Sequence, residues 1–192
     1  FFNPGPIDHP KIPVYLAGVN EHMCRVAGEV CEGLHVHPFN SPTYLRQYVQ
    51  PAVDEGLRRA GRRREDFTYS TATFAVVGDT EEELSQARQA VKQQIAFYAS
   101  TRTYEPVLAA HGWQGLTPHL HRKSVEGDWK GMADLITDEM LDTYAVTGSY
   151  ATLGRAIRER YAGLLDRTAL YQPYQPGLDD PRLPRFVREF NG

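Results

Sequence analysis

Two rhythms of hydrophobic positions alternate along the chain. Residues 13–17 form a short apolar run closed by Gly18, and then Met23, Val26, Ala27, Val30 and Cys31 recur at helical spacing, with Asn20 placed to cap their start. A second short run at residues 33–37 leads into a helix that opens with Ser41 and Pro42, carries Leu45, Tyr48, Val49, Ala52, Val53, Leu57 and Ala60 on one face, and stops at Gly61. Pro51 lies inside that helix and predicts a kink. Residues 67–77 alternate and are rich in Thr, Tyr, Phe and Val, which predicts a strand. Thr80 and Glu83 then have the spacing of a capping box, opening a helix through Leu84, Ala87, Val91, Ile95 and Tyr98. From 103 to 149 the pattern breaks into short helical pieces, predicted near 106–111, 129–136 and 138–145, with loops at Gly112, Gly115 and Pro118; this reads as a helical insertion. A last helix carries Leu153, Ala156, Ile157, Tyr161 and Leu164, a short strand follows at 168–171, and residues 173–192 are expected to lie as a tail over the surface.

Strands alternating with helices imply parallel strands joined by crossovers. The expected fold class is therefore α/β, and about four βα units are present. A complete (β/α)8 barrel of the TIM type takes about 250 residues, so 192 residues correspond either to an open sheet or to the C-terminal half of a barrel. The start at Phe1, within an extended stretch and without an initiator Met, points to a fragment. With 21 basic and 24 acidic side chains the net charge is −3, which provides no field to attract a polyanion; nucleic acid is not an expected partner. No apolar run approaches the length of a membrane span, so membrane is not expected either. Cys24 and Cys31 lie two helical turns apart, too far for a disulfide, and suggest a reducing, cytoplasmic setting.

The strongest chemical signal is the strand end Ala17-Gly18-Val19-Asn20, followed at once by a helix. Backbone N–H groups at such a terminus are unpaired, the helix dipole favours an anion there, and a glycine admits close approach, so the turn can cradle a phosphate; the same turn also serves as an ordinary βα connection. Neither common nucleotide fingerprint is present. His119 and His121 lack a third ligand at metal spacing, so no metal is expected. Arg58, Arg59, Arg62, Arg63 and Arg64 cluster at a helix end, where cations complement the dipole. Tyr104, His111 and Trp113, in the insertion, are candidates to line a small-molecule substrate pocket or, equally, to pack its core. No catalytic residue can be named from spacing.

The segments Pro13-Val14-Tyr15-Leu16-Ala17-Gly18-Val19-Asn20, Arg25-Val26-Ala27-Gly28-Glu29-Val30-Cys31-Glu32-Gly33-Leu34, Phe74-Ala75-Val76-Val77-Gly78-Asp79-Thr80-Glu81-Glu82-Glu83 and Ala145-Val146-Thr147-Gly148 resemble, in order and spacing, the luciferase-like monooxygenase superfamily. Within it the chain is most similar to the deazaflavin (coenzyme F420)-dependent oxidoreductases. The resemblance implies a (β/α)8 barrel entered near its fifth strand, with the turn Ala17, Gly18, Val19 and Asn20 holding the phosphate of coenzyme F420 or, alternatively, FMN, and His37 bordering the same pocket. It implies an oxidoreductase moving a hydride between cofactor and organic substrate, with the groups that bind the ring face lying upstream of residue 1. The competing expectation is a non-catalytic half-barrel module that pairs with another chain, either as a homodimer or with an N-terminal half-barrel.

Overall fold

The computed structural model describes residues 5, 6, 8–171 and 180–191. Strand β1 (Tyr15–Gly18) runs parallel to β2 (Gly33–Val36), which runs parallel to the base of β3 (Thr68–Val77). β3 has ten residues and outruns its neighbour. Its upper half pairs with β4 (Ala145–Gly148) and its middle with β5 (Arg167–Tyr171), again parallel, so that Phe74 is registered with both Ala145 and Tyr171. The expected parallel α/β architecture is thus present.

Register determines which side chains share a face, because neighbouring residues of a strand point to opposite sides. Leu34 and Val36 of β2 are buried on one face, which helices α1 (Glu21–Val30) and α3 (Gln50–Arg59) cover. The two helices cross at a pair of glycines. A Cβ at Gly28 would stand 2.3 Å from the Val53 carbonyl oxygen, and one at Gly56 would stand 2.1 Å from that of Arg25. The opposite face presents Ala17, His35 and Arg167 to solvent.

Pro51 does not kink the chain in the expected way. After the short helix α2 (Pro42–Tyr44), residues Leu45–Val49 form a π-helical turn, and Gln50 N donates to Leu45 O. That shift restarts the ladder so that Pro51 falls in the first turn of α3, where its missing N–H is not needed. The capping box forms as predicted: Glu83 N donates to Thr80 Oγ1 at 3.2 Å, Thr80 N donates to Glu83 Oε2 at 3.3 Å, and α4 (Glu81–Ala99) follows.

The segment 103–149 differs from a purely helical insertion. It contains α5 (Glu105–Ala109), α6 (Leu116–Glu126), α7 (Trp129–Ala133) and α8 (Asp138–Tyr144), but it ends in strand β4. Pro118, expected in a loop, lies in the first turn of α6 and is tolerated there for the same reason as Pro51. After α9 (Leu153–Tyr161) and β5, the expected surface tail is in part a helix, α10 (Arg182–Asn191), which buries Phe186. The stretch 172–179 lies outside the described residues. No helix among the described residues is long and apolar enough to cross a membrane.

Candidate functional site at the carboxyl ends of the strands

The turn from β1 into α1 keeps its donors available. Cys24 N makes the first helical bond, to Asn20 O at 3.1 Å, so the amides of Glu21, His22 and Met23 precede the ladder. Asn20 occupies the N-cap position with extended backbone, yet its side chain does not cap. Its amide nitrogen instead donates to Thr103 O at 3.1 Å, and the Tyr44 hydroxyl donates to Val19 O at 3.1 Å, so two distant segments hold the turn from behind. A Cβ at Gly18 would come within 3.2 Å of both Leu34 Cδ1 and Met23 Cβ. Beside the turn an open cleft of about 430 Å3 is lined by Asn20, Tyr48, Arg102, Thr103, Glu105 and Gln114, among others, so it carries one acid as well as one guanidinium. The bare amides and the Arg102 guanidinium are the donors that fit a phosphate, and Gly18 lets β1 pack closely under the first turn of α1.

His37 lies one residue beyond β2, on the same side as His35 by strand alternation. Its Nδ1 accepts from Phe39 N at 3.1 Å, and its ring packs edge-on to Tyr98 (4.5 Å between centroids) and against Tyr104 (4.6 Å). Burial in this aromatic setting lowers its pKa to about 4, so the ring is neutral near pH 7 and Nε2–H is its remaining donor. Asn40 fixes the loop by donating to His37 O at 2.7 Å and to Thr71 Oγ1 at 3.3 Å. The hydroxyls of Tyr98 and Tyr171 lie 2.7 Å apart, and Phe74 packs on Tyr171. The two tyrosines complete an aromatic wall with His37 and Tyr104.

The candidates from the insertion separate. Tyr104 joins His37 at the strand ends. His111 and Trp113 stack on each other at 5.1 Å, both against buried Tyr144, and His111 Nε2 lies 2.7 Å from Oγ of Ser41, the N-cap of α2. Burial, and then the charge of Arg160, depress the His111 pKa. This grouping packs the helical layer behind Phe39. His119 and His121 lie two residues apart on α6, a spacing that turns them to different sides of the helix. Tyr98, which the sequence pattern groups with Tyr104 and Trp113 as a candidate pocket-lining aromatic, does meet Tyr104 here; Tyr171 is absent from the sequence-derived candidates because only the tertiary return of α4 over β3 brings it to Tyr98.

The family profile described as luciferase-like monooxygenase matches residues 1–168. The chain belongs to that family. It is 43% identical over 166 residues to an uncharacterized protein of Mycobacterium tuberculosis, covering 86% of this chain and 49% of the relative. It is 27% identical over 154 residues to the 5,10-methylenetetrahydromethanopterin reductase of Archaeoglobus fulgidus, covering 77% of this chain and 43% of that protein. The solved coenzyme F420-dependent tetrahydromethanopterin reductase from Methanopyrus kandleri superposes with a TM-score of 0.71 at 22% identity, over 92% of this chain and 49% of that one. The luciferase-like chain thus spans about half the length of the curated relatives it matches.

Proposed function

We propose that this chain supplies the cofactor-holding part of a coenzyme F420-dependent oxidoreductase acting on a small organic substrate. The observation that carries the reading is the uncapped start of α1 beside Gly18, at the carboxyl end of β1, where open parallel α/β sheets and barrels alike bind ligands. The names of relatives favour F420 over FMN. When bound, the coenzyme supplies the hydride chemistry.

The chain's own residues bind and orient. The amides of Glu21, His22 and Met23 take phosphate oxygens, and Arg102 adds a counter-charge from the cleft wall. Neutral His37 offers Nε2–H, while Tyr98, Tyr104 and Tyr171 provide an apolar wall against which a flat ring system is shielded from water. Among the described strands β1 pairs only with β2, and β5 only with β3. These two edges are where the remaining strands of an eight-stranded barrel would join, in the same polypeptide or in a partner.

Gly18→Leu tests the assignment. The leucine is forced against Leu34 Cδ1 and Met23 Cβ and shifts the first turn of α1, costing one or two charge-assisted backbone bonds worth roughly 1.5–3 kcal/mol each, so affinity for coenzyme F420, read by fluorescence titration, should fall about tenfold to a hundredfold or more. Unchanged affinity in a variant with wild-type circular dichroism would refute the phosphate site.

A further inference from the structure

Asn20 stands where a helix cap is expected and does not cap. It is the N-cap residue of α1, its backbone already has the extended conformation a cap requires (φ −93°, ψ 160°), and asparagine is among the best capping residues, yet its side chain makes no bond to the helix. Both ends of its side-chain amide are engaged elsewhere. Nδ2 donates to Thr103 O at 3.1 Å, and Oδ1 lies 3.4 Å from the hydroxyl of Tyr44, which donates at 3.1 Å to Val19 O. Tyr44 is itself fixed: it is buried, its N donates to Ser41 Oγ at 3.1 Å, and its ring stacks on Tyr48 at 5.1 Å between centroids. Thr103 belongs to the 3-10 turn Arg102–Tyr104, in which Arg102 lines the cleft beside α1 and Tyr104 packs on His37.

A capping side chain accepts from the second or third amide of its helix, which in α1 are those of His22 and Met23. An anion at the start of α1 needs the same hydrogens. The Asn20 side chain and an anion are therefore competitors. Only rotation about the side-chain bonds of Asn20 separates the two arrangements, because its backbone already suits both. A good cap is worth roughly twofold to thirtyfold in an equilibrium constant, enough to set how much of the helix start is open.

We infer that Asn20 is a positioning residue that toggles the start of α1 between a capped, closed form and a bare, anion-accepting form, and that the turn Arg102–Tyr104, together with Tyr44, selects the bare form by holding the Asn20 amide. The turn that withdraws the cap also carries Arg102, so opening the amides and presenting the counter-charge are one arrangement. The ligand side of this inference rests on the phosphate reading of the turn. The toggle itself rests on the bonds of Asn20.

Asn20→Ser and Asn20→Ala test it as a pair. Both lose the bond to Thr103, but serine caps a helix and alanine cannot. In protein free of anions, amide hydrogen exchange at His22 or Met23, whichever takes the cap, should be about threefold or more slower in Asn20→Ser than in Asn20→Ala. Titrated with inorganic phosphate and followed by 15N NMR at the amides of Glu21, His22 and Met23, Asn20→Ser should bind about threefold or more weakly than Asn20→Ala. A merely structural role for the Thr103 bond would give the two variants the same effect. Tyr44→Phe keeps the ring on Tyr48 and removes the hydroxyl beside Oδ1, so it should slow the same exchange, and adding Asn20→Ala to it should lift the slowing. Equal exchange in the serine and alanine variants would overturn the proposal, as would equal phosphate affinity where phosphate binds, or Tyr44→Phe exchanging as fast as wild type. Wild-type protein that takes no phosphate at these amides would refute the phosphate site, while the exchange comparison, made without any anion, still decides the toggle.

Discussion

Gly56→Ala places a methyl carbon 2.1 Å from the Arg25 carbonyl oxygen and 3.0 Å from Glu29 N, backbone atoms of α1 that cannot rotate away. A carbon–oxygen contact relaxes near 3.3 Å, so the two helices must part by about 1 Å. Overpacking of this kind costs roughly 1–3 kcal/mol, and the parting also loosens dispersion contacts along the crossing, while alanine regains close to 1 kcal/mol of helix propensity. The expected net loss is about 1–2 kcal/mol. At a urea m-value of about 2 kcal/mol/M it lowers the unfolding midpoint by roughly 0.5–1 M, with m unchanged. Gly28→Ala, with its Cβ 2.3 Å from Val53 O, should behave alike. The double variant should cost less than the sum of the two, because one separation of the helices relieves both clashes. A Gly56→Ala protein as stable as wild type would refute the close crossing, and with it the placement of α1 against the sheet that aims its first amides.

Three further outcomes follow from the site and its supports. Because burial holds the folded-state pKa of His37 at about 4 against 6.5 unfolded, its neutral form stabilises the fold fully above pH 6.5. That contribution is lost as the pH falls to 4, at a cost of up to about 3 kcal/mol. His37→Gln should flatten this part of the stability profile measured by urea unfolding between pH 7 and 4, and an unchanged profile would contradict the buried neutral ring. Arg182 reaches Asp180, Glu83 and Asp79 at 2.8, 3.0 and 3.2 Å and lies over the Tyr150 ring, tying α10 to the turns after β3 and β4. Arg182→Gln should therefore speed amide hydrogen exchange at residues 79–83 and 149–150 while leaving β1 and β2 protected; exchange that is unaltered at both turns would show that the strap does not hold them. Tyr104→Ala removes a ring that packs on His37, so the neutral-ring effect on the pH profile should shrink in that variant as well.

The elements with a complete local signal were legible in the sequence. The run into Gly18, the alternation of β3 and the Thr80–Glu83 box each specify their own boundary, and all three form. Strand β4 was not, because it follows Tyr144 without a break and is a strand only through pairing with the far end of β3. For α10 a signal existed: Leu183, Phe186 and Phe190 recur at helical spacing within a proline-rich, charged stretch. Asn20 was legible as a cap position, but the long-range pull of Thr103 and Tyr44 on the turn is tertiary, and it is this pull that leaves the amides bare.

The central claim concerns the start of α1, and backbone 15N NMR during titration with coenzyme F420 addresses it most directly. The account predicts saturable shifts of the amides from Val19 to Met23, larger than those of any other helix start and abolished by Gly18→Leu. Binding that leaves these amides unmoved while shifting another part of the chain would contradict it.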